Sequence, residues 1–252
     1  MDTKNFQFEI CANNVESCLA AQAGGAHRVE LCAGIPEGGT TPSYGEIAMA
    51  RKVLDKTKLH IIIRPRGGDF TYTFSEIQRM IIDIKVCKQL NVDGVVFGCL
   101  TNDGNIDMEL NAMLLKHCQG LSVTFHRAFD RCRNPFKALD QLAILGFNRI
   151  LTSGQQPTVE LGTPLLHQLQ TQADHRIHII AGCGVNENNI FKIYTETGVR
   201  EYHFSAREKF LSSATYMNSS VYMGAQRIDE NSYELTTTER VKKTISALID
   251  NL

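Results

Sequence analysis

Tryptophan is absent from the 252 residues, and so is any excess of positive charge: 26 Lys and Arg stand against 27 Asp and Glu, a formal net charge of −1. The first absence removes Trp stacking platforms. The second removes the basic field that nucleic acid or an anionic membrane surface requires. No apolar run approaches the length of a membrane span. The first residues, Met1-Asp2-Thr3-Lys4-Asn5, lack the apolar segment of a secretory signal. Several reaction motifs are missing too. There is no Gly-x-Ser-x-Gly elbow, no Gly-x-x-x-x-Gly-Lys phosphate loop and no Gly-x-Gly-x-x-Gly dinucleotide fingerprint. No Cys-x-x-Cys pair signals structural zinc. No lysine falls at an expected strand end, which argues against a Schiff-base aldolase.

What is present is an ordinary globular composition, 43% hydrophobic and 21% charged, with eight cysteines at 11, 18, 32, 87, 99, 118, 132 and 183. Their spacing is not that of a small secreted disulfide scaffold, so they read as reduced thiols of a cytoplasmic protein. Apolar runs of strand length, at about 6–11, 28–32, 59–63, 94–98, 121–125, 149–152, 177–182 and 201–205, alternate with segments of helical period. Helix starts are expected at Asn13, at the capping boxes beginning with Ser43 and Ser75, at Asn134-Pro135, at Asn186 and at Thr236. Eight β units, each followed by a helix, predict a parallel sheet, and eight is the number that closes a (β/α)8 TIM barrel. An open doubly wound sheet is the rival, but polar residues end nearly every strand of both halves, which favours the barrel. No linker divides the chain, so residues 1–252 are expected to form a single domain. One stretch, from Ala206 to about Leu235, shows no helix and reads as a long loop after strand 8, a lid or a subunit contact.

Two strand ends echo each other. Phe6-Gln7-Phe8-Glu9-Ile10-Cys11 and Arg28-Val29-Glu30-Leu31-Cys32 each place a carboxylate and a thiol on one face by alternation. If those strands are parallel neighbours, two acids and two thiols converge on the C-terminal rim, where barrels build their sites. The same rim collects Arg64 and Arg66 with Asp69 after strand 3, His126 after strand 5, Ser153 after strand 6, Gly182, Cys183 and Gly184 after strand 7, and His203, Ser205 and Arg207 on strand 8.

These segments resemble the copper homeostasis protein CutC family. The resemblance is carried by Val29-Glu30-Leu31-Cys32, Glu37-Gly38-Gly39-Thr40-Thr41-Pro42-Ser43, Arg64 to Phe70, Val123 to Asp130 and Leu151-Thr152-Ser153-Gly154, and it covers nearly the whole chain. It implies a TIM barrel, a cytoplasmic location and a part in copper handling, with Cys11 and Cys32 at the positions proposed to hold copper. Cys183 departs from the pattern, since family members tend to carry Gly or Ala there.

Two functions follow as expectations. In the first, Cys11 and Cys32 bind Cu(I), which accepts soft sulfur ligands and few of them. In the second, the barrel is a lyase- or isomerase-like enzyme acting on a small anionic, even phosphorylated, metabolite. His126, Asp69, Glu30 and Glu9 would then supply acid–base groups, while Arg64, Arg66, Ser153, Gly182, Gly184 and His203 bind the anion. Met217 and Met223 offer thioethers in the long loop but at no ligand spacing, and Tyr216 and Tyr222 fit contacts in a homo-oligomer. Neither nucleic acid nor membrane is an expected partner.

Overall fold

Alternating apolar and polar positions in the strands close a ring. In the computed structural model, which describes residues 6–218, 220–222 and 229–252, eight parallel strands form a closed barrel, with the last pairing back to the first. They are β1 (Gln7–Ala12), β2 (Arg28–Leu31), β3 (Lys58–Ile62), β4 (Gly94–Phe97), β5 (Ser122–Phe125), β6 (Arg149–Thr152), β7 (His178–Gly182) and β8 (Glu201–Phe204). Around them lie α1 (Val15–Ala23), α2 (Tyr44–Val53), α3 (Phe74–Gln89), α4 (Met108–His117), α5 (Pro135–Leu145), α6 (Thr163–Ala173), α7 (Ile190–Thr197) and α8 (Thr238–Ile249). The expected (β/α)8 architecture is therefore present, with strand limits within two residues of those read from the sequence.

By alternation, Phe8, Ile10, Val29, Leu31, Leu59, Ile61, Val95 and Phe97 point outward, and all are buried in the apolar layer between strands and helices. Each such side chain contributes on the order of 1.5–3 kcal/mol by leaving water. The inward positions differ from the branched aliphatic filling usual in such barrels. Arg28 bonds Glu9 and, at 2.8 Å, Glu201; Arg149 reaches Glu201 at 3.1 Å and Ser122 at 2.5 Å. Arg28 and Glu9 are only 2% and 1% exposed, so this charge network is internal and each ion has a counter-ion. Burial would raise the Glu9 carboxyl, but the Arg28 charge together with the hydrogen bond and charge of His203 holds it far below its usual range.

Helix starts shift where side chains find better partners. Asn14, not Asn13, caps α1. Ser43 caps α2 as expected, but Glu46 completes no box, because its carboxylate accepts the Val15 amide instead. The box of α3 belongs to Thr73 and Glu76 rather than to Ser75. Asn134 caps α5 ahead of Pro135. Helix α7 begins after Asn189, and α8 after Thr237, one residue beyond Thr236.

The long segment after β8 also differs from a plain loop. Arg207–Leu211 (β9) and Ser232–Thr236 (β10) pair antiparallel, and Phe210 and Tyr233 stack 6.0 Å apart on the ribbon. The ribbon is rooted on the barrel: Asn13 donates to the Glu234 carbonyl and the Thr236 amide donates to Ser17 Oγ. Tyr216 and Tyr222 are exposed beyond it, and Met223 lies outside the described residues. No helix among the described residues is long and apolar enough to cross a membrane.

Candidate functional site

The echo between β1 and β2 becomes a contact. Their register sets Cys11 opposite Glu30 and carries Cys32 one step past Ala12, so the two thiols meet with sulfurs 3.5 Å apart. Cys32 Sγ also lies 3.4 Å from the Ala12 carbonyl, which suits a protonated donor. From β8, His203 places Nδ1 2.7 Å from Glu9 Oε1 and Nε2 3.6 Å from Glu30 Oε2. From the start of β9, Arg207 Nη2 sits 3.3 Å from Cys11 Sγ. Ligand atoms of Cys11, Glu30 and Cys32 lie within 4.8 Å of one another, which would let them share one ion.

Electrostatics split the two thiols. The hydrogen bond from Cys32, with help from His203 and Arg207 against the cost of burial, holds Cys11 well below the usual thiol range. The same bond seen from the other side, together with burial, raises Cys32 well above it. Burial would lower the pKa of His203, but its bonds to Cys11 and Glu9 and the charge of Glu30 raise it well above the ordinary histidine value. Burial pushes Glu30 up to about 8, opposed by His203. The cluster thus sets a thiol disposed to lose its proton, Cys11, against one disposed to keep it, Cys32, beside an imidazole disposed to hold a proton.

These groups form one wall of a cavity of about 590 Å3 at the C-terminal mouth of the barrel. The facing wall carries Arg64, Phe70, His126, Arg127, Asp130 and Arg131. His126 is held as the cap of the short 3-10 turn Arg127–Arg131, its Nδ1 accepting the Ala128 amide at 3.3 Å. Residue 98 must be glycine there, since a Cβ would stand 2.8 Å from His126 Nδ1. Arg64 is 4% exposed and ties the rim loops together through the carbonyls of Glu37, Gly39 and Gly68, each at 2.9 Å.

Of the residues singled out in the sequence, Cys11, Cys32, Glu30, Arg64, His126, Gly184 and His203 line this cavity. Glu9 lies one layer deeper and reaches it only through His203. Arg66 and Asp69 are not brought to it. Strand alternation ends at Ile62, and the following loop turns Arg66 outward, where it pairs with Asp69 at 2.9 Å and Glu76 at 2.6 Å and stacks on Tyr72. Ser153 is fully buried against Asp130 and the Gln156 carbonyl, behind the cavity wall. Gly182 is a packing position: a Cβ would stand 2.6 Å from Leu151 Cδ1 and 3.3 Å from His203 Cβ. Cys183 lines the mouth at φ +79°, a backbone region that favours glycine, with its thiol 3.1 Å from the Pro157 carbonyl.

Sequence reasoning placed Arg207 on the rim without a role, and the structure sets it on the cavity wall; it gave none to Asp130. Asp130 organises the end of β6, accepting from Thr152 Oγ1, the Ser153 and Gln155 amides and Arg127 Nε. Its i,i+3 spacing from Arg127 was the available signal. Arg207 stands after β8, at the opening of a ribbon that has no apolar alternation to announce it.

Fold and mouth together define a TIM barrel whose site is built from strand-end thiols, acids and guanidinium groups. A profile of the CutC family matches residues 6–208, and the chain belongs to that family. A CutC family protein of Bacteroides thetaiotaomicron is 63% identical over 246 residues, covering 97% of this chain and 99% of the relative. A human protein named as a copper homeostasis protein cutC homolog is 43% identical over 248 residues, covering 98% and 90%. The solved structure of a Streptococcus agalactiae protein described as a copper homeostasis protein CutC aligns with a TM-score of 0.76 at 38% identity, over 79% of this chain and 98% of that one.

Proposed function

We propose that this protein serves copper homeostasis by binding one Cu(I) ion between Cys11 and Cys32, as cargo rather than as a resident cofactor. The observation that carries the reading is the pair of sulfurs 3.5 Å apart at the wall of the mouth, one already disposed to the thiolate form. Soft sulfur in low coordination suits Cu(I). Structural zinc takes four ligands, whereas only three donor residues converge among the described residues.

Charge balance favours a monovalent ion. Cu(I) entering between the sulfurs displaces the Cys32 proton, so one positive charge replaces another in a buried site. A divalent ion leaves a net positive charge unless Glu30 also loses its proton. Arg207, His203 and the Glu9–Arg28 pair behind it hold the thiolate in place and keep its charge compensated. Eight free thiols fit a reducing cytoplasm, and the exposed Tyr216 and Tyr222 fit subunit contacts.

The test is a titration of reduced protein with Cu(I) against a competing chromophoric chelator. One Cu(I) per chain, with one proton released per ion, is expected. The Cys11→Ser/Cys32→Ser protein loses the site, and Cys183→Ser keeps it. Equal binding by wild type and double variant ends the assignment.

A further inference from the structure

The cavity contains more unmet polar demand than the two thiols explain. Glu30 Oε1, Arg64 Nε, His126 Nε2 and Arg207 Nε are buried without a hydrogen-bond partner, and all four residues line this one cavity. Buried polar atoms in folded proteins are nearly always paired, and four of the eight unpaired ones among the described residues belong to residues that border this one space. Two of the donors, Arg64 and His126, stand on the wall facing the thiols. Arg64 Cζ lies 5.0 Å from the Phe70 ring centroid, and the His126 ring lies 4.9 Å from it.

The character of that wall is set by hydrogen bonding. Because the Ala128 amide donates to Nδ1, neutral His126 carries its proton on Nε2, the orphaned atom, and offers it as a donor. Burial and the Arg64 guanidinium hold its pKa at about 3, so it remains a neutral donor rather than an acid–base group near neutrality. Arg64 has spent both terminal nitrogens on backbone carbonyls and keeps Nε free. Arg131, exposed at the same rim, makes no ion pair or hydrogen bond among the described residues. One neutral acceptor stands near them, the buried Tyr72 hydroxyl, which interacts with Arg64, and no unpaired carboxylate does among the described residues. Asp130 is saturated by its own five donors, and Glu30 belongs to the thiol wall.

We propose that the Phe70 wall of the mouth binds the oxyanion group of a small organic acid, a carboxylate or a phosphate, through His126 Nε2–H, Arg64 Nε–H and Arg131. The rest of the guest lies on Phe70, Ile35, Ile62 and Leu151. A cavity of about 590 Å3 is of the size that takes a small molecule. Guanidinium and neutral imidazole donors together recognise oxyanions by paired, charge-assisted hydrogen bonds. The site stands independently of copper, since none of the three donors is hydrogen-bonded to either sulfur.

Titration of the reduced, metal-free protein tests it, using inorganic phosphate, acetate, phenyl phosphate and benzoate as probes. Long-range proton–nitrogen NMR of the histidine rings reads His126 Nε2 directly. The expected result is a saturable shift of that nitrogen, with the phenyl-bearing probes bound about tenfold tighter than their parent ions. The stronger of phenyl phosphate and benzoate identifies the oxyanion. His126→Phe weakens binding at least about tenfold and Arg131→Ala about threefold, while Cys11→Ser/Cys32→Ser leaves it unchanged. Arg131 is exposed, so that variant keeps the test open even where His126→Phe fails to fold. No saturable shift from any probe at roughly 10 mM overturns the proposal, as does affinity unaltered in Arg131→Ala and in any folded His126→Phe.

Discussion

The lower interior of the barrel and its mouth both bury charge and differ in how their ions are paired. In the interior the ions are matched, and it is the neutral His60 ring and the Thr124 hydroxyl that keep a buried atom without a partner. Below, Arg28, Glu9, Glu201 and Arg149 answer one another. Above, Arg64, His126, Glu30 and Arg207 keep buried atoms with no answer, and the two thiols meet beside them. A charged interior is thus no sign of a site in itself. Incomplete pairing beside a cavity is. Glu9 belongs to both regions, pairing with Arg28 below and His203 above.

Breaking the lower network is expected to have the largest effect on stability. Arg28→Met leaves Glu9 and Glu201 buried with too few counter-ions and costs about 3–5 kcal/mol in chemical denaturation. A loss under about 1 kcal/mol would show the network to be dispensable. In the mouth, Cys11→Ser/Cys32→Ser is expected to weaken Cu(I) binding at least about a thousandfold, about 4 kcal/mol, while changing stability by only about 1 kcal/mol. An unfolded double variant would instead place the thiols with the structural region.

The acid side of the stability curve sharpens the contrast next. His60 in the interior and His126 in the mouth are both held near 3 by burial, below the ordinary 6.5. Their contribution is complete above about 6.5 and is lost as pH falls toward 3, because the unfolded chain takes up protons that the folded chain refuses. His126→Phe is expected to flatten that decline by up to about 1.4 kcal/mol per pH unit, read from denaturant unfolding at several pH values. An unchanged slope would mean that His126 titrates normally. Smallest of all, Arg66→Ala touches neither region. It is expected to lower stability by under about 1 kcal/mol and to leave Cu(I) affinity as it was, measured on the same two assays.

How much of this was legible in the sequence follows from where alternation applies. Glu9 with Cys11 and Glu30 with Cys32 could be placed together because both pairs lie within or next to straight strands whose facing is dictated two residues at a time. The same rule misled at Arg66, which lies past the end of β3 where a loop pinned by Arg64 decides direction. Arg28, Arg149 and Glu201 were passed over because each begins its strand, and no local pattern says that strand beginnings two and four positions apart around a ring share a centre. The β9–β10 ribbon escaped because most of its side chains stay partly or fully exposed, leaving no buried face to print a period. His126 was visible as a rim histidine, but its role as a fixed donor depends on the turn that follows it.

The most direct test of the central claim is X-ray absorption at the copper edge on reduced protein loaded with one equivalent of Cu(I). Two sulfur scatterers in the wild type, lost in the Cys11→Ser/Cys32→Ser protein, is the predicted result. A first shell of nitrogen or oxygen alone, or the same sulfur signal from both proteins, would contradict it.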